Sequence, residues 1–239
     1  MDPGTMYRIY PIHVGTITRP KSNMVYMKGS DIRCDFPLII WYVTDGRKNI
    51  VVDTGGTPPD GRYMPYVCPQ EQLPGAALKA AGVDPDTVKD VILTHLHWDH
   101  AGNNRLFKNA VFHVQRKELQ YAAAPLRIHE GSYDRHLVFE TSYKALDGDC
   151  DILDGISVIA TPGHSPGSQS VAVRTRSGIY VLAGDLIGLY ECMEYEPMAV
   201  NSIHTDLVSY YESLDRIGRM DCRVLPGHDF RVLDKKCYP

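Results

Sequence analysis

The sequence predicts an α/β fold in which two β-sheets lie between layers of helices. Three observations point there. Short apolar, β-rich runs gather in two blocks, one before residue 115 and one after residue 155. Segments of helical periodicity fall between and after those blocks. Strands apolar on both faces need a cover on each side, and helices supply it. With 239 residues, 44% apolar and 23% charged, the chain is long enough to bury such a core. Residues 1–239 read as a single domain without internal repeats or low-complexity tracts.

Tyr7 to Gly15 alternates as a strand does, and Leu38 to Val43 is a second β-rich run. Asp45-Gly46 then turns the chain into Asn49-Ile50-Val51-Val52, completing a hairpin. Residues 55–74 are rich in Gly and Pro and read as a loop. Leu73 to Ala81 is a short helix stopped by Gly82, and Asp84-Pro85-Asp86 opens a further turn. Val91-Ile92-Leu93 suits a buried strand, Ala110 to Val114 another, and Gln115 to Ala124 is helical until Pro125. Residues 125–147 show little periodicity, as a lid or binding loop would. Ile156 to Ala160, Ser168 to Arg174 and Gly178 to Ala183 are three more strands. Thr205 to Arg219 is a helix with Leu207, Tyr210, Tyr211, Leu214 and Ile217 on one face, and Cys222 to Leu225 is the last strand.

The formal net charge of -4 supplies no basic field for a polyanion, so nucleic acid is excluded as a partner and a small molecule is favoured. No run approaches the ~18 apolar residues of a membrane helix. The first residues lack the basic and apolar regions of a signal peptide; Met6 reads as the natural start, with residues 1–5 left over from expression. The six cysteines form no Cys-x-x-Cys pair and read as free thiols, which makes the cytoplasm the expected location.

The chemistry is concentrated in Thr94-His95-Leu96-His97-Trp98-Asp99-His100, directly after an apolar strand. Four potential ligands lie within six positions, and neutral imidazole with carboxylate suits divalent first-row metals. Chance clustering on a solvated turn is the bland reading. With ten His and 21 Asp in the chain, random placement yields the pattern on the order of once in a thousand sequences. Three further residues follow apolar strands: His164 in Thr161-Pro162-Gly163-His164-Ser165-Pro166-Gly167, Asp185 in Ala183-Gly184-Asp185, and His228 in Leu225-Pro226-Gly227-His228-Asp229. Taken singly, each would be a turn residue or surface histidine. Asp53, in Asp53-Thr54-Gly55-Gly56, is either a structural turn or a hydrogen-bonding support for a ligand. His13, His113, His129, His136 and His204 lack ligand spacing and are expected outside the site.

In these motifs the chain resembles the metallo-β-lactamase superfamily, whose signature is His-x-His-x-Asp-His at a strand end followed by a lone His, a lone Asp and a final His. The resemblance spans residues 39–229. It implies a four-layer αββα sandwich of two mixed β-sheets flanked by helices. It also implies two divalent metal ions, zinc by default with Mn, Fe or Co open. One would be held by His95, His97 and His164, the other by Asp99, His100 and His228, with Asp185 as the bridge. A metal-bound hydroxide would attack a carbonyl, and Asp99 would pass a proton to the leaving group.

Within the superfamily the chain looks most like the N-acyl homoserine lactone lactonase branch, through residues 96–103, the loop 161–167 with Gln169-Ser170, and Gly227-His228-Asp229. That branch implies hydrolysis of a lactone or related cyclic ester. A glyoxalase-II-like thioesterase and a cyclic amide hydrolase would use the same ligands, and a non-catalytic metal-binding scaffold is the reading from another class. One departure stands out. The branch commonly has a tyrosine three residues after the bridging aspartate, where this chain has Gly188; either Tyr190 takes its place at the lactone carbonyl, or Tyr190 is a packing tyrosine and the site serves another ring. Met24, Tyr26, Met27, Tyr63, Met64 and Tyr66 are expected in loops, as substrate walls, as loop anchors or as contacts of a homodimer.

Overall fold

In a computed structural model, which describes residues 4–56 and 66–239, side-chain alternation along the strands sets up the layers. In β1 (Arg8–Pro20) and β2 (Arg33–Thr44), Ile9, Ile39, Trp41 and Val43 enter one apolar cluster while Ile12, Val14, Leu38 and Ile40 enter another. β3 (Asn49–Val52) and β4 (Asp90–Ile92) repeat the pattern, with Ile50, Val52 and Ile92 inward and Val51 and Val91 outward. β5 (Val111–Gln115) and β6 (Tyr143–Leu146) complete a six-stranded mixed sheet in the order β1-β2-β3-β4-β5-β6. The first two pairings are antiparallel and the last three parallel.

The second sheet has five strands in the order β11-β10-β9-β8-β7: β7 (Cys150–Leu153), β8 (Ile156–Ala160), β9 (Gln169–Thr175), β10 (Gly178–Leu182) and β11 (Arg223–Leu225). Its Val158, Val171, Val173 and Leu182 share the inner cluster with the first sheet. Ile159, Ala172 and Val181 share the outer cluster with Tyr210, Leu214 and Ile217 of α5 (Leu207–Gly218). Over the first sheet lie α1 (Pro74–Ala80) and α3 (Arg116–Ala123), whose Leu78 and Ala122 join Val51 and Val91. Helix, sheet, sheet, helix is the four-layer arrangement that the sequence implied. Two short helices, α2 (Trp98–Ala101) and α4 (Arg135–Glu140), sit in the connections.

The differences from expectation have local causes. β1 continues to Pro20 because a bulge between His13 and Thr16 shifts its side-chain register, which breaks the alternation that a strand shows in sequence. β6, β7 and α4 were not anticipated; each is four to six residues long, too short for a period to declare itself. In α5 the buried face is Tyr210, Ser213, Leu214 and Ile217, while Leu207 is exposed at the helix start beside its cap, Asp206. Full burial of Leu214 and Ile217 contributes about 1.5–3 kcal/mol each. β4 ends at the first histidine run, and β8, β10 and β11 run in one common direction. Thus His95, His164, Asp185 and His228 all follow carboxyl ends of strands, the edge where open α/β sheets place their ligands.

Candidate metal centre

Three groups of side chains converge at that edge. His95, His97 and His164 form one, His95, His100 and Asp185 a second, and Asp99, His100 and His228 a third, with ligand atoms inside each group within 4.8 Å of one another. All seven residues singled out in the sequence are therefore brought together. Six are buried and Asp99 is partly exposed at the edge. His13, His113, His129, His136 and His204 belong to none of these groups among the described residues.

The hydrogen bonds around the imidazoles test whether a metal fits. His164 donates from Nδ1 to the Ile203 carbonyl at 2.7 Å, and His228 from Nδ1 to the Pro37 carbonyl at 3.0 Å. His100 Nδ1 is 2.7 Å from Asp53 Oδ2. In each ring the proton is thereby placed on Nδ1, and Nε2 presents a lone pair. Those lone pairs face a carboxylate: Asp185 Oδ1 lies 3.1 Å from His100 Nε2 and 2.9 Å from His228 Nε2, and Oδ2 lies 3.2 Å from His164 Nε2. Acceptors crowded against acceptors require positive charge between them. The buried Nε2 atoms of His95 and His100 also lack a hydrogen-bond partner. The donor set fits divalent cations.

Electrostatics points the same way. Burial is the largest influence on His100 and His228 and opposes their charge, yet the carboxylates of Asp185 and Asp99, joined by Asp53 at His100, together hold both above the ordinary imidazole value. Burial likewise opposes charge on Asp185, but His228, His164 and His100 hold it well below the usual carboxylate range. His95, His97 and His164 are pulled down, first by burial and then by their fellow imidazoles, so they stay neutral and able to ligate.

Asp53 holds this arrangement from behind. It follows β3 with φ of 60°, and its carboxylate accepts from Thr94 N at 2.7 Å and the Thr94 hydroxyl at 2.8 Å as well as meeting His100. Asp53→Asn keeps the shape and tolerates the backbone but weakens the grip on the imidazole. Metal affinity is expected to fall by about 10- to 100-fold in a competition titration with a chromogenic chelator. Unchanged affinity would reduce Asp53 to a turn residue.

Two residues that sequence reasoning did not single out tie the ligand loops together. Glu118 of α3 is fully buried and accepts from Leu96 N, Gly167 N, the Tyr133 hydroxyl and the Ser165 hydroxyl at 2.6–3.1 Å. It joins the His95–His97 turn to the His164 loop. Tyr210 of α5 donates to the carbonyls of Asp185 and Leu186 at 2.6 and 2.9 Å. Both approaches explain glycines in the His164 loop. A Cβ on Gly167 would stand 2.2 Å from Glu118 N, and one on Gly163 would stand 2.4 Å from Tyr210 Cα.

A cavity opens over the site, and His97, Asp99 and Asp185 form part of its floor. Its walls include Ile17, Arg19, Met24, Trp98, Asn201 and Ile203. Met24 is thus where a substrate wall was expected. Tyr26 packs edge-on against His204 instead, Met27 is 81% exposed, and Tyr66 lies against the Trp98 ring at 5.4 Å. Tyr63 and Met64 lie outside the described residues.

Tyr190 is not brought to the cavity. It opens a 3-10 turn, Tyr190–Glu194, its backbone N donates to Asp229 Oδ2 at 2.8 Å, and its ring lies 4.7 Å beneath the Arg231 guanidinium. Asp229 also binds Arg231, so one carboxylate holds the turn and its cation together, and the ring packs against the inter-sheet core. Of the two readings of Tyr190, its surroundings here are those of a packing tyrosine and not of a group at the cavity. Space beside Gly188 is taken by Met24, whose sulfur would stand 3.1 Å from a Cβ there.

Comparison with known proteins gives a consistent picture. The sequence matches the family model described as the metallo-beta-lactamase superfamily over residues 38–228. It is 35% identical over 204 residues to the N-acyl homoserine lactonase AiiA of Bacillus thuringiensis subsp. kurstaki, covering 79% of each chain. To the N-acyl homoserine lactonase AttM of Agrobacterium fabrum it is 30% identical over 249 residues, covering 94% of each. A solved N-acyl homoserine lactone hydrolase, with the product N-hexanoyl-L-homoserine at its catalytic metal centre, superposes with a TM-score of 0.82 at 25% identity over 96% of both chains.

Proposed function

The chain belongs to the metallo-beta-lactamase superfamily, and from that premise we propose that it is a binuclear metal-dependent lactonase acting on N-acyl homoserine lactones or related cyclic esters. The observation that carries the reading is the convergence of three histidines, His100, His164 and His228, on the two oxygens of Asp185, with the partnerless Nε2 of His95 beside them. His95, His97 and His164 would hold one ion and Asp99, His100 and His228 the other, with Asp185 placed between the two groups. Zinc suits this set of nitrogen and oxygen donors. When bound, the two ions supply a water acidic enough to ionise near neutral pH and a Lewis acid for the ester carbonyl.

The chain's own residues do the rest. Asp53 and the carbonyls of Pro37 and Ile203 fix the imidazole rings, so no reorientation is needed during reaction. Asp99, partly exposed on the cavity floor, is placed to hand a proton to the departing alkoxide as the ring opens. Ile17, Met24, Trp98 and Ile203 give the apolar wall that an acyl chain or ring methylenes require. No helix of the described residues is long and apolar enough to cross a membrane. All six cysteines are unpaired, which suits a reducing compartment, and we place the enzyme in the cytoplasm.

The test measures metal content and proton release from a lactone panel on one purified sample. About two metals per chain with chelator-sensitive lactone turnover is the expected result. Metal without turnover of any lactone would overturn the lactonase reading and favour thioesters or cyclic amides. A folded, metal-free protein that cannot be loaded would overturn the metal centre itself.

A further inference from the structure

Ile17 and Arg19 lie two apart on β1, so they project from the same face, and both reach the cavity above the metal centre. Arg19 is half-buried. Its Nη1 donates to the Thr18 carbonyl at 2.9 Å, while its Nη2 is buried and has no hydrogen-bond partner. Among the described residues Arg19 forms no ion pair; the charges it senses are Arg33, of like sign, and Asp99, which the metal centre engages. The other polar wall residues, Asn23, Ser132 and Asn201, are neutral, and Asn201 already donates to Asp185 and accepts from Ile203 N. One cavity therefore holds two electropositive poles, the metal centre and a guanidinium whose donor capacity is unfilled. An arginine keeps its charge under such burial, and an unmade bond on a charged donor is costly.

We infer that Arg19 selects the substrate, by donating to an oxygen acceptor that the lactone carries outside the ester that is broken. The inference rests on the lactonase reading and narrows it. The carbonyl of an acylamino group on the ring carbon beside the ester meets the requirement, as would a carboxylate at that position; a plain alkyl lactone does not. The metal centre takes the ester and the guanidinium takes the second acceptor, so a substrate with both is held at two points and cannot rotate in the cavity.

Three γ-lactones of one ring size test this: one with an alkyl substituent, one with an N-acyl amide, one with a carboxylate. The wild-type protein is expected to favour the acceptor-bearing lactones in kcat/KM. Arg19→Met is expected to lose roughly 10- to 100-fold on them, mainly through KM, so that the preference over the alkyl lactone collapses. Arg19→Lys, a point charge without the fork, should recover more with the carboxylate than with the amide. Calorimetric affinity for the ring-opened N-acyl homoserine should weaken by the same factor, at unchanged metal content. If Arg19→Met slows all three lactones alike, or leaves the preference intact, Arg19 is a structural residue and the inference falls alone. If the wild-type protein opens none of them, the lactonase reading falls first and takes this inference with it.

Discussion

His97→Ala is expected to reduce lactone turnover by at least about a thousandfold, because on the proposed reading it removes a ligand of an ion that would stabilise charge in the transition state. His97 caps α2, and its ring centroid lies 4.4 Å from that of His95 and 4.8 Å from that of His164. It is also the imidazole of that group that forms part of the cavity floor. Its deletion opens the cavity and frees one edge contact with the Tyr133 ring at 4.8 Å, leaving the rest of both apolar clusters in place, so the protein should remain folded. Metal analysis should show about one ion per chain lost, and a thermal scan should show a cooperative transition still in place. Full turnover with an undiminished metal content would sink the mechanism. An unfolded variant would not distinguish ligand loss from collapse, and Asp99→Asn, at the exposed edge, then serves as the second probe. It should retain fold and slow turnover, with the greatest loss on lactones whose leaving alkoxide is most basic.

The site was more legible in the sequence than the sheets that carry it. His95, His97, Asp99 and His100 fall within six positions because one turn after β4 presents them all, and local spacing survives in a sequence. His164, Asp185 and His228 could be read because each follows a short apolar strand, and strand ends are visible as a change of composition. Glu118 could not be read. It is one glutamate on an ordinary helix, and its four donors come from residues 96, 133, 165 and 167, which only the packed fold assembles. Arg19 was hidden for a related reason: the bulge after His13 breaks the alternation that would have shown which face of β1 it occupies. Tyr190 misled because sequence distance from Asp185 says nothing about direction. Asp229, 39 positions further along the chain, accepts from Tyr190 N and holds the turn against Arg231, and the bond from His228 N to the Gly188 carbonyl brings the two segments together in space.

Removing the metal should cost stability as well as activity, since the folded chain would then bury crowded acceptors reconciled only by the protons that His100 and His228 take up. Ions held at a concentration about a thousand times above their dissociation constant stabilise the fold by about 4 kcal/mol. For a chain of this size that corresponds to a fall in Tm of roughly 8–16 °C on chelation, reversed by adding zinc. The pH dependence follows from the imidazoles. In the metal-free protein His100 and His228 have pKa values raised by Asp185, so a proton takes the place of the ion. That contribution is fully present below the unfolded value of about 6.5 and is lost as pH rises through the folded values. Metal binding must displace those protons, so it gains strength over the same rise. The Tm difference between loaded and chelated protein should therefore widen from pH 6 to pH 8. His95, His97 and His164, whose pKa values are depressed by burial, work in the other direction only at lower pH, where charging them opposes the fold. Calorimetric scans of both forms at the two pH values decide the matter: a constant difference would mean that protons and metal do not compete for the imidazoles of His100 and His228, and no difference at all would mean that the cluster holds no metal.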